Sequence, residues 1–553
     1  MKRLVIGLSI TLTVLCMMLS CSTSDDVVEP EKPGTPEVPE RTIAPDTIVI
    51  RDTIYVRDTI YQSDTMIVRD TVIVGDTSPR ILSFILLESH NSASLISNVD
   101  CEIIGDSLIE GWVPHLASDK HLIPHFTSIG TVKVDGSPIT SDATVIDFGE
   151  PVVLTVGEGS DSKTYRVLIH AFTGLPVCWI ETEGRQKIES KDQYLKAHMT
   201  IQKDVITRAN VPYEYDMEIK GRGNSTWILP KKPYRIRFDK KQSILDMPKD
   251  KAWALLANYM DKTMIRNKVA YNFGEMSHLA WTPHSHFVEV WVNGKYNGNY
   301  QLIEKYNVSK NRVDISDDGF LLEIDAYASG ETDARYFGTQ VLPQPVNIKE
   351  PKVNWYDEKY TLVRDFVNEA ETVLYSGDFK DPETGWQKYF DATALVDWYL
   401  INEIAKCWDA IRWSSTFMTW IPGGKIVMGP LWDYDIAFGN ADASDGCDSS
   451  PQEFQVKNMA WFHRFFEDPY FVQLVKDRWK YFYSKKSVIM SEINADANYL
   501  KYSAVENDNK WQTLYRYTER NRDIWGSYFN EIEYLKQWLS TRMDWLDREF
   551  SNM

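Results

Sequence analysis

Two stretches of this chain carry residue types that could handle a charged ligand. The first is Glu218-Ile219-Lys220-Gly221-Arg222-Gly223-Asn224-Ser225-Thr226-Trp227, followed by the basic run Lys231-Lys232-Pro233-Tyr234-Arg235-Ile236-Arg237-Phe238. A strand, a Gly-containing turn with hydroxyl side chains and a basic strand offer backbone N–H groups and cations to phosphates, because only Gly lets the main chain approach so closely. The same pattern also fits an ordinary hairpin whose lysines protect a solvated edge. The second stretch is Trp408-Asp409-Ala410 together with Gly429-Pro430-Leu431-Trp432-Asp433-Tyr434-Asp435-Ile436-Ala437-Phe438-Gly439-Asn440. Carboxylates set among Trp, Tyr, Leu and Phe need a partner such as arginine or a metal ion. One or two carboxylates that leave room for water and phosphate oxygens suit magnesium, while the bland alternative is that Asp433 and Asp435 cap a turn.

The elements that must position these groups follow from composition and periodicity. With 553 residues, 43% hydrophobic and 25% charged, the chain can bury a sizeable core and exceeds a single small module. Its 79 acidic against 60 basic residues give a net charge of -19, a field that repels phosphate backbones, so no nucleic-acid partner is expected. From Val177 to about Asp325 the chain is strand-like and rich in turns, and beyond that it reads as mostly helical. Leu395, Trp398, Tyr399, Ile401 and Ile404 fall at helical spacing between Asp391 and Cys407, and Leu535, Trp538, Leu539, Met543 and Trp545 repeat it between Asn530 and Phe550. A β-rich half followed by a helical half suggests two lobes with a cleft between them.

Ahead of this region lie three further segments. Lys2 and Arg3 precede an apolar run from Leu4 to Leu19, too short for a comfortable membrane span and laid out like a signal peptide, covering residues 1–20. Residues 21–80 form a Pro- and Glu-rich tether and then a hexapeptide repeat, with Asp-Thr recurring from Asp46-Thr47 to Asp76-Thr77. Six is even, so a strand keeps each Asp on one face; this reads as an extended β-like stalk or a flexible linker. Residues 81–172 show short alternating runs between turns, the pattern of one small all-β sandwich. Cys101, Cys178, Cys407 and Cys447 have no paired short spacing, so neither a zinc site nor a disulfide scaffold is implied.

These segments carry resemblances. Met18-Leu19-Ser20-Cys21 resembles a bacterial lipobox, apart from Met18, and Ser22-Thr23-Ser24-Asp25-Asp26 resembles the export tag of surface lipoproteins of the Bacteroides group. That likeness implies that Cys21 is lipidated and that the protein sits at the outer membrane or cell surface, touching the membrane through its lipid anchor only. The 81–172 module resembles an Ig-like spacer. The motifs Lys220 to Thr226, Lys231 to Arg235, Asp261-Lys262-Thr263-Met264-Ile265-Arg266-Asn267-Lys268, Val290 to Tyr300, Glu304-Lys305 and Gly429 to Asp435, in this order across 177–553, resemble the CotH kinase family.

The family resemblance implies an α+β chain: a two-lobed, atypical protein-kinase-like domain at 177–553 preceded by the Ig-like sandwich. It implies transfer of the ATP γ-phosphoryl group to Ser or Thr of an extracytoplasmic protein, with Mg2+ or Mn2+. Gly221, Gly223, Asn224 and Ser225 would line the phosphates, with Lys232 or Arg235 neutralising charge. Asp409 would orient the acceptor hydroxyl, and Asp433 and Asp435 would hold the metal. Arg266 and Glu304 would also line the nucleotide site, unless Glu304 simply pairs with Lys305. The ordinary kinase loop has a metal-binding Asn five residues after its Asp; that position here is Ser414, no His-Arg precedes Asp409, and the Gly-rich turn lacks its third Gly. These departures suit an atypical kinase or a pseudokinase. The 19 Trp and 29 Tyr support the other reading, a glycan-binding adhesion lipoprotein.

Overall fold

The computed structural model describes residues 53–62, 65–74, 77–95, 98–113, 120–171, 173–203, 210–441, 446–518 and 523–553. The expected signal segment, Cys21 and the Pro/Glu-rich stretch read as a tether lie outside them. Part of the hexapeptide repeat is described, as strands Thr53–Gln62 and Thr65–Val74 paired in a two-stranded sheet.

Between Arg80 and Ala171 the chain is all strand and turn, in an eight-stranded order that begins with Pro124–Ile129 and Arg80–Leu86. Val99–Ile104 changes partner midway: Val99 and Cys101 pair with Leu86 and Phe84, whereas Glu102 and Ile104 pair with Glu110 and Leu108. The sheet therefore continues through one strand into a second set of strands. Alternation follows the pleat, with Leu154 and Val156 buried, Thr155 between them half-buried and Val153 before them exposed.

The strand-rich stretch beginning at Val177 closes into a seven-stranded barrel. Its order is Val177–Thr182, Leu195–Gln202, Tyr213–Gly221, Tyr234–Gln242, Asp250–Leu256, Lys295–Glu304 and Ser285–Val292. Closure comes from parallel pairing of the first and last, Val177 opposite Glu289 and Ile180 opposite Val292. Ile180, Met199, Ile219, Ile236, Trp253, Leu255, Val290 and Leu302 belong to one buried cluster. Their neighbours in sequence pack elsewhere: Val177, Trp179, Trp291 and Tyr296 join the core of the N-terminal module, and Ala254, Leu256, Phe287 and Ile303 join that of the helical region. Several barrel strands are thus buried on both faces, which is why they read as continuous apolar runs.

The region read as mostly helical also holds a five-stranded sheet, ordered Tyr336–Phe337, Val346–Glu350, Phe320–Ile324, Thr416–Trp420 and Val427–Met428. The four strands beyond Ile324 are a correction to the sequence expectation; runs of two to five residues are too short to show a period of their own. The helices match more closely. Ala392–Ala405 is capped by Asp391, whose carboxylate accepts from Ala394 N, and is buried from Ala394 through Ala405. Tyr528–Asn552 is capped by Ser527 and supplies Arg542, which meets Glu403 at 2.6 Å, both side chains fully buried. The chain is mixed α/β with a sheet-rich first part that includes the closed barrel.

Candidate functional site

The acidic segment is fixed by buried amides. Asp433 follows the short strand Val427–Met428 and adopts φ +71°, left-handed backbone that few non-glycine residues take. Asn267, from the helix Arg266–Glu275, holds that shape: its Oδ1 accepts from Tyr434 N at 2.7 Å. Asn440 Nδ2 donates to the Asp435 carbonyl at 2.6 Å and to the Met260 carbonyl at 3.1 Å. Ser415 Oγ lies 3.4 Å from Asp433 Oδ2, so Ser415, one residue past the position compared with the kinase Asn, reaches the acidic segment.

Burial pushes the Asp435 carboxyl well above the ordinary carboxylate range, and the negative charges of Asp433, Asp409 and Asp261 push it the same way, with Arg222 opposing. Asp409, Asp433 and Asp435, far apart in sequence apart from the last two, are therefore brought together. Asp261 is committed to its own turn: its carboxylate accepts from Thr263 N, Thr263 Oγ1, Arg266 N and, at 2.5 Å, Arg266 Nη1. Arg266 is thus placed in a fully buried ion pair beside the acidic centre.

The Gly-rich turn follows the strand ending at Gly221. A Cβ at Gly221 would lie 2.2 Å from the Trp227 ring, and one at Gly223, where φ is +90°, would lie 2.1 Å from Thr226 Oγ1. Neither position accepts a side chain without rearrangement. Asn224 precedes the single turn Ser225–Ile228. Lys232 Nζ donates to the Trp227 carbonyl at 2.7 Å, bracing the turn from below. Between the two glycines, Arg222 stands 5.5 Å from the Trp432 ring and links the turn to the acidic segment.

A group of cations completes the arrangement. Burial, and then Arg235, Lys349 and Arg222, hold Lys305 well below the ordinary lysine value, with Glu323 opposing. Its Nζ sits 3.7 Å from the Tyr306 ring, which packs edge-on against Trp432 at 5.1 Å. Burial raises Glu323 to about 7; its Oε1 accepts from Ser415 N at 3.0 Å and its Oε2 meets Lys349 at 3.1 Å. Burial works against the charge of Lys349, yet Tyr306, Glu323, Glu331 and Asp325 outweigh it.

Glu304, expected at the nucleotide site or else paired with Lys305, spends its carboxylate elsewhere. Its carboxylate meets Arg312 at 2.6 Å and His284 Nδ1 at 2.9 Å. Arg222, Lys305, Glu323, Lys349 and Asn267 were not assigned roles from the sequence. One signal was available: Leu321-Leu322-Glu323-Ile324-Asp325 sets two carboxylates in an apolar strand, where an acid must have a partner.

Among the described residues, no group of three or more His, Cys, Asp or Glu side chains is placed to hold a metal ion. A pair of carboxylates, with the remaining positions left to water and phosphate oxygens, is nonetheless a donor set that magnesium accepts. The crowded Asp433, Asp435 and Asp409 charges are of the kind that a divalent cation relieves.

The family model described as CotH kinase protein matches residues 219–546, more than half of the chain. The chain belongs to the CotH kinase family. The CotH match begins within the third barrel strand, so two barrel strands and the N-terminal module precede it. It includes both Gly residues of the turn, Lys305, Asp409 and the acidic pair. No curated protein matches this CotH chain. A crystal structure described as a "putative glycoside hydrolase" from Bacteroides thetaiotaomicron VPI-5482 is similar at 14% identity and TM-score 0.15, covering 52% of this chain and 88% of that one. Nothing is transferred from so loose a superposition.

Proposed function

We propose that this CotH chain is an ATP-dependent protein kinase that phosphorylates Ser or Thr of an extracytoplasmic protein. The observation carrying this reading is the meeting of Asp409, Asp433 and Asp435 with Arg222, itself part of a cation group with Lys305, Arg235 and Lys349. Phosphoryl transfer needs positioning and charge neutralisation more than covalent help from the protein, and this arrangement offers both. Arg222, Lys305 and the main chain around Gly221 and Gly223 hold the phosphates. Asn224 and Ser225 border them, while Lys232 acts by bracing the turn.

Asp433 and Asp435 would hold magnesium or manganese, which when bound neutralises phosphate oxygens. Asp409 orients the acceptor hydroxyl and takes its proton as the new O–P bond forms and the bond from the γ-phosphorus to ADP breaks. The lipobox-like sequence supports export and lipidation at Cys21, with the tether holding the folded part away from the membrane.

Titration calorimetry of ATP with each metal, paired with a labelled-ATP transfer assay, tests the reading. Asp433→Ala and Asp435→Ala should weaken nucleotide binding in magnesium, whereas Asp409→Ala should bind nucleotide and lose transfer by roughly two orders of magnitude or more. Absence of nucleotide binding by the wild type with either metal would overturn the kinase reading; binding without transfer to any Ser-rich acceptor would make the protein a pseudokinase. A Cys21→Ala protein that stays membrane-associated with unchanged processing would refute the lipid anchor.

A further inference from the structure

Buried or half-buried guanidinium groups in this molecule are mostly spent on carboxylates: Arg266 on Asp261, Arg312 on Glu304, Arg478 on Asp397 and Arg542 on Glu403. Arg412 is different. Like Arg222 and Arg235, it makes no side-chain hydrogen bond or ion pair among the described residues, and its Nε, as in Arg266 and Arg312, is buried without a partner. It is nevertheless held firmly, with the guanidinium carbon 3.8 Å from the centre of the Trp408 ring and Trp408 itself only 6% exposed. Contact with the ring face leaves the terminal Nη edge, which unlike Nε is not closed off from solvent, as a fork of N–H donors for an acceptor.

The backbone places this fork beside Asp409. Arg412 N and Trp413 N both donate to the Asp409 carbonyl at 3.0 Å, so the three residues form one tight turn. Ile411, fully buried, is forced to φ +62°, a costly conformation for a β-branched residue, and its N–H is tied to Thr416 Oγ1 at 2.9 Å. Gln344 Nε2 donates to the Arg412 carbonyl at 3.1 Å, and Ala326 N to the Trp413 carbonyl at 2.6 Å. On the outer side Trp413 and Tyr327 are 45% and 39% exposed. The cations that surround Lys305 are Arg235, Lys349 and Arg222, and the cation opposing the field on Asp435 is Arg222; Arg412 belongs to neither group.

We infer that Arg412 is an acceptor-reading residue, whose stacked guanidinium binds a carboxylate of the protein substrate close to the hydroxyl that Asp409 orients. The hydroxyl part rests on the kinase reading; carboxylate binding by the fork does not. The chemistry of the fork would also suit a nucleotide phosphate, so the test separates the two sources.

The full chain is titrated, by fluorescence anisotropy, with labelled Ser peptides flanked by Glu and with the same peptides flanked by Gln. The Glu peptide is expected to bind about ten- to hundredfold more tightly, the range of a charge-assisted bidentate contact. Arg412→Gln should bring the two peptides to equal affinity, Arg412→Lys should keep part of the difference, and ATP affinity by calorimetry should be the same in all three proteins. Equal binding of both peptides by the wild type, or an unchanged preference in both folded variants, overturns the inference. A loss of ATP affinity in Arg412→Gln assigns the fork to nucleotide and overturns it as well. Should transfer never be seen while the Glu preference persists and disappears in Arg412→Gln, the kinase reading fails and the carboxylate site stands.

Discussion

At the scale of single residues, the acidic segment depends on amides more than on its own carboxylates. Asn267 is 2% exposed and accepts the Tyr434 N–H that follows Asp433. Asn267→Leu leaves that N–H buried and unpaired, at a cost of about 1–3 kcal/mol. Because the left-handed turn at Asp433 loses its support, nucleotide affinity in magnesium should fall with it. Urea unfolding measures the first effect and calorimetry the second; a variant that binds magnesium and ATP like the wild type would show that Asn267 does not position Asp433. The asparagine was visible only as one letter of the Asp261–Lys268 motif. Its role was not legible, since the group it serves lies far along the chain.

At the scale of elements, the long helix Lys486–Trp511 is joined to the barrel through buried polar groups. Lys231 Nζ donates to the Asn299 carbonyl and, at 2.7 Å, to Asn507 Oδ1 on the helix. Burial depresses Lys231 to about 7, with Glu289 opposing, while burial raises Glu289 above its ordinary range. Both shifts favour a neutral pair. The unfolded chain binds the lysine proton up to its ordinary value of 10.5, and the folded chain releases it near 7. The unfolded state therefore holds more protons across that window, and stability should rise with pH through it. Lys231→Met removes the titration, so denaturant unfolding between about pH 7 and 10.5 should lose most of that rise. An equal slope in both proteins would place the charged lysine in the fold. Lys231 and Lys232 illustrate what a basic run conceals: adjacent lysines, one bracing the Gly-rich turn and one reaching a helix 276 residues away.

For the molecule as a whole, the boundary near residue 172 divides chain segments more cleanly than it divides cores. Val177, Trp179, Trp291 and Tyr296 on the barrel are buried in the same apolar cluster as Phe84, Val99, Leu154 and Val167 of the N-terminal module. Arg185 also forms an ion pair with Asp100 across this contact. Removing everything before Val177 uncovers two tryptophans and a tyrosine, each a large apolar surface. The 177–553 fragment should accordingly melt several degrees below the 77–553 fragment and aggregate more readily on heating, by about 1.5–3 kcal/mol of lost burial for each large side chain. Equal melting temperatures and equal solubility would show that the module is a spacer that contributes nothing to the barrel.

The sequence by itself determined what is local: the strand run Val152–Val156, the helical spacing of Leu395 to Ile404 and of Leu535 to Trp545, the Gly-rich turn after Lys220, and the ordered motifs that mark a CotH kinase. Those signals depend on backbone preferences and periodicity over a few residues, so they survive without knowledge of the fold. Tertiary structure decided which groups meet. Barrel closure pairs Val177 with Glu289, and the acidic centre gathers Asp261, Asp409, Asp433 and Asp435 from across 175 residues of chain. Whether an ionised side chain is spent or available is likewise a matter of distant neighbours. Glu304 is consumed by Arg312 and His284, while Arg412, stacked on Trp408, keeps its donors free, because saturation of a buried charge is settled by packing between elements and not by the residues beside it in sequence.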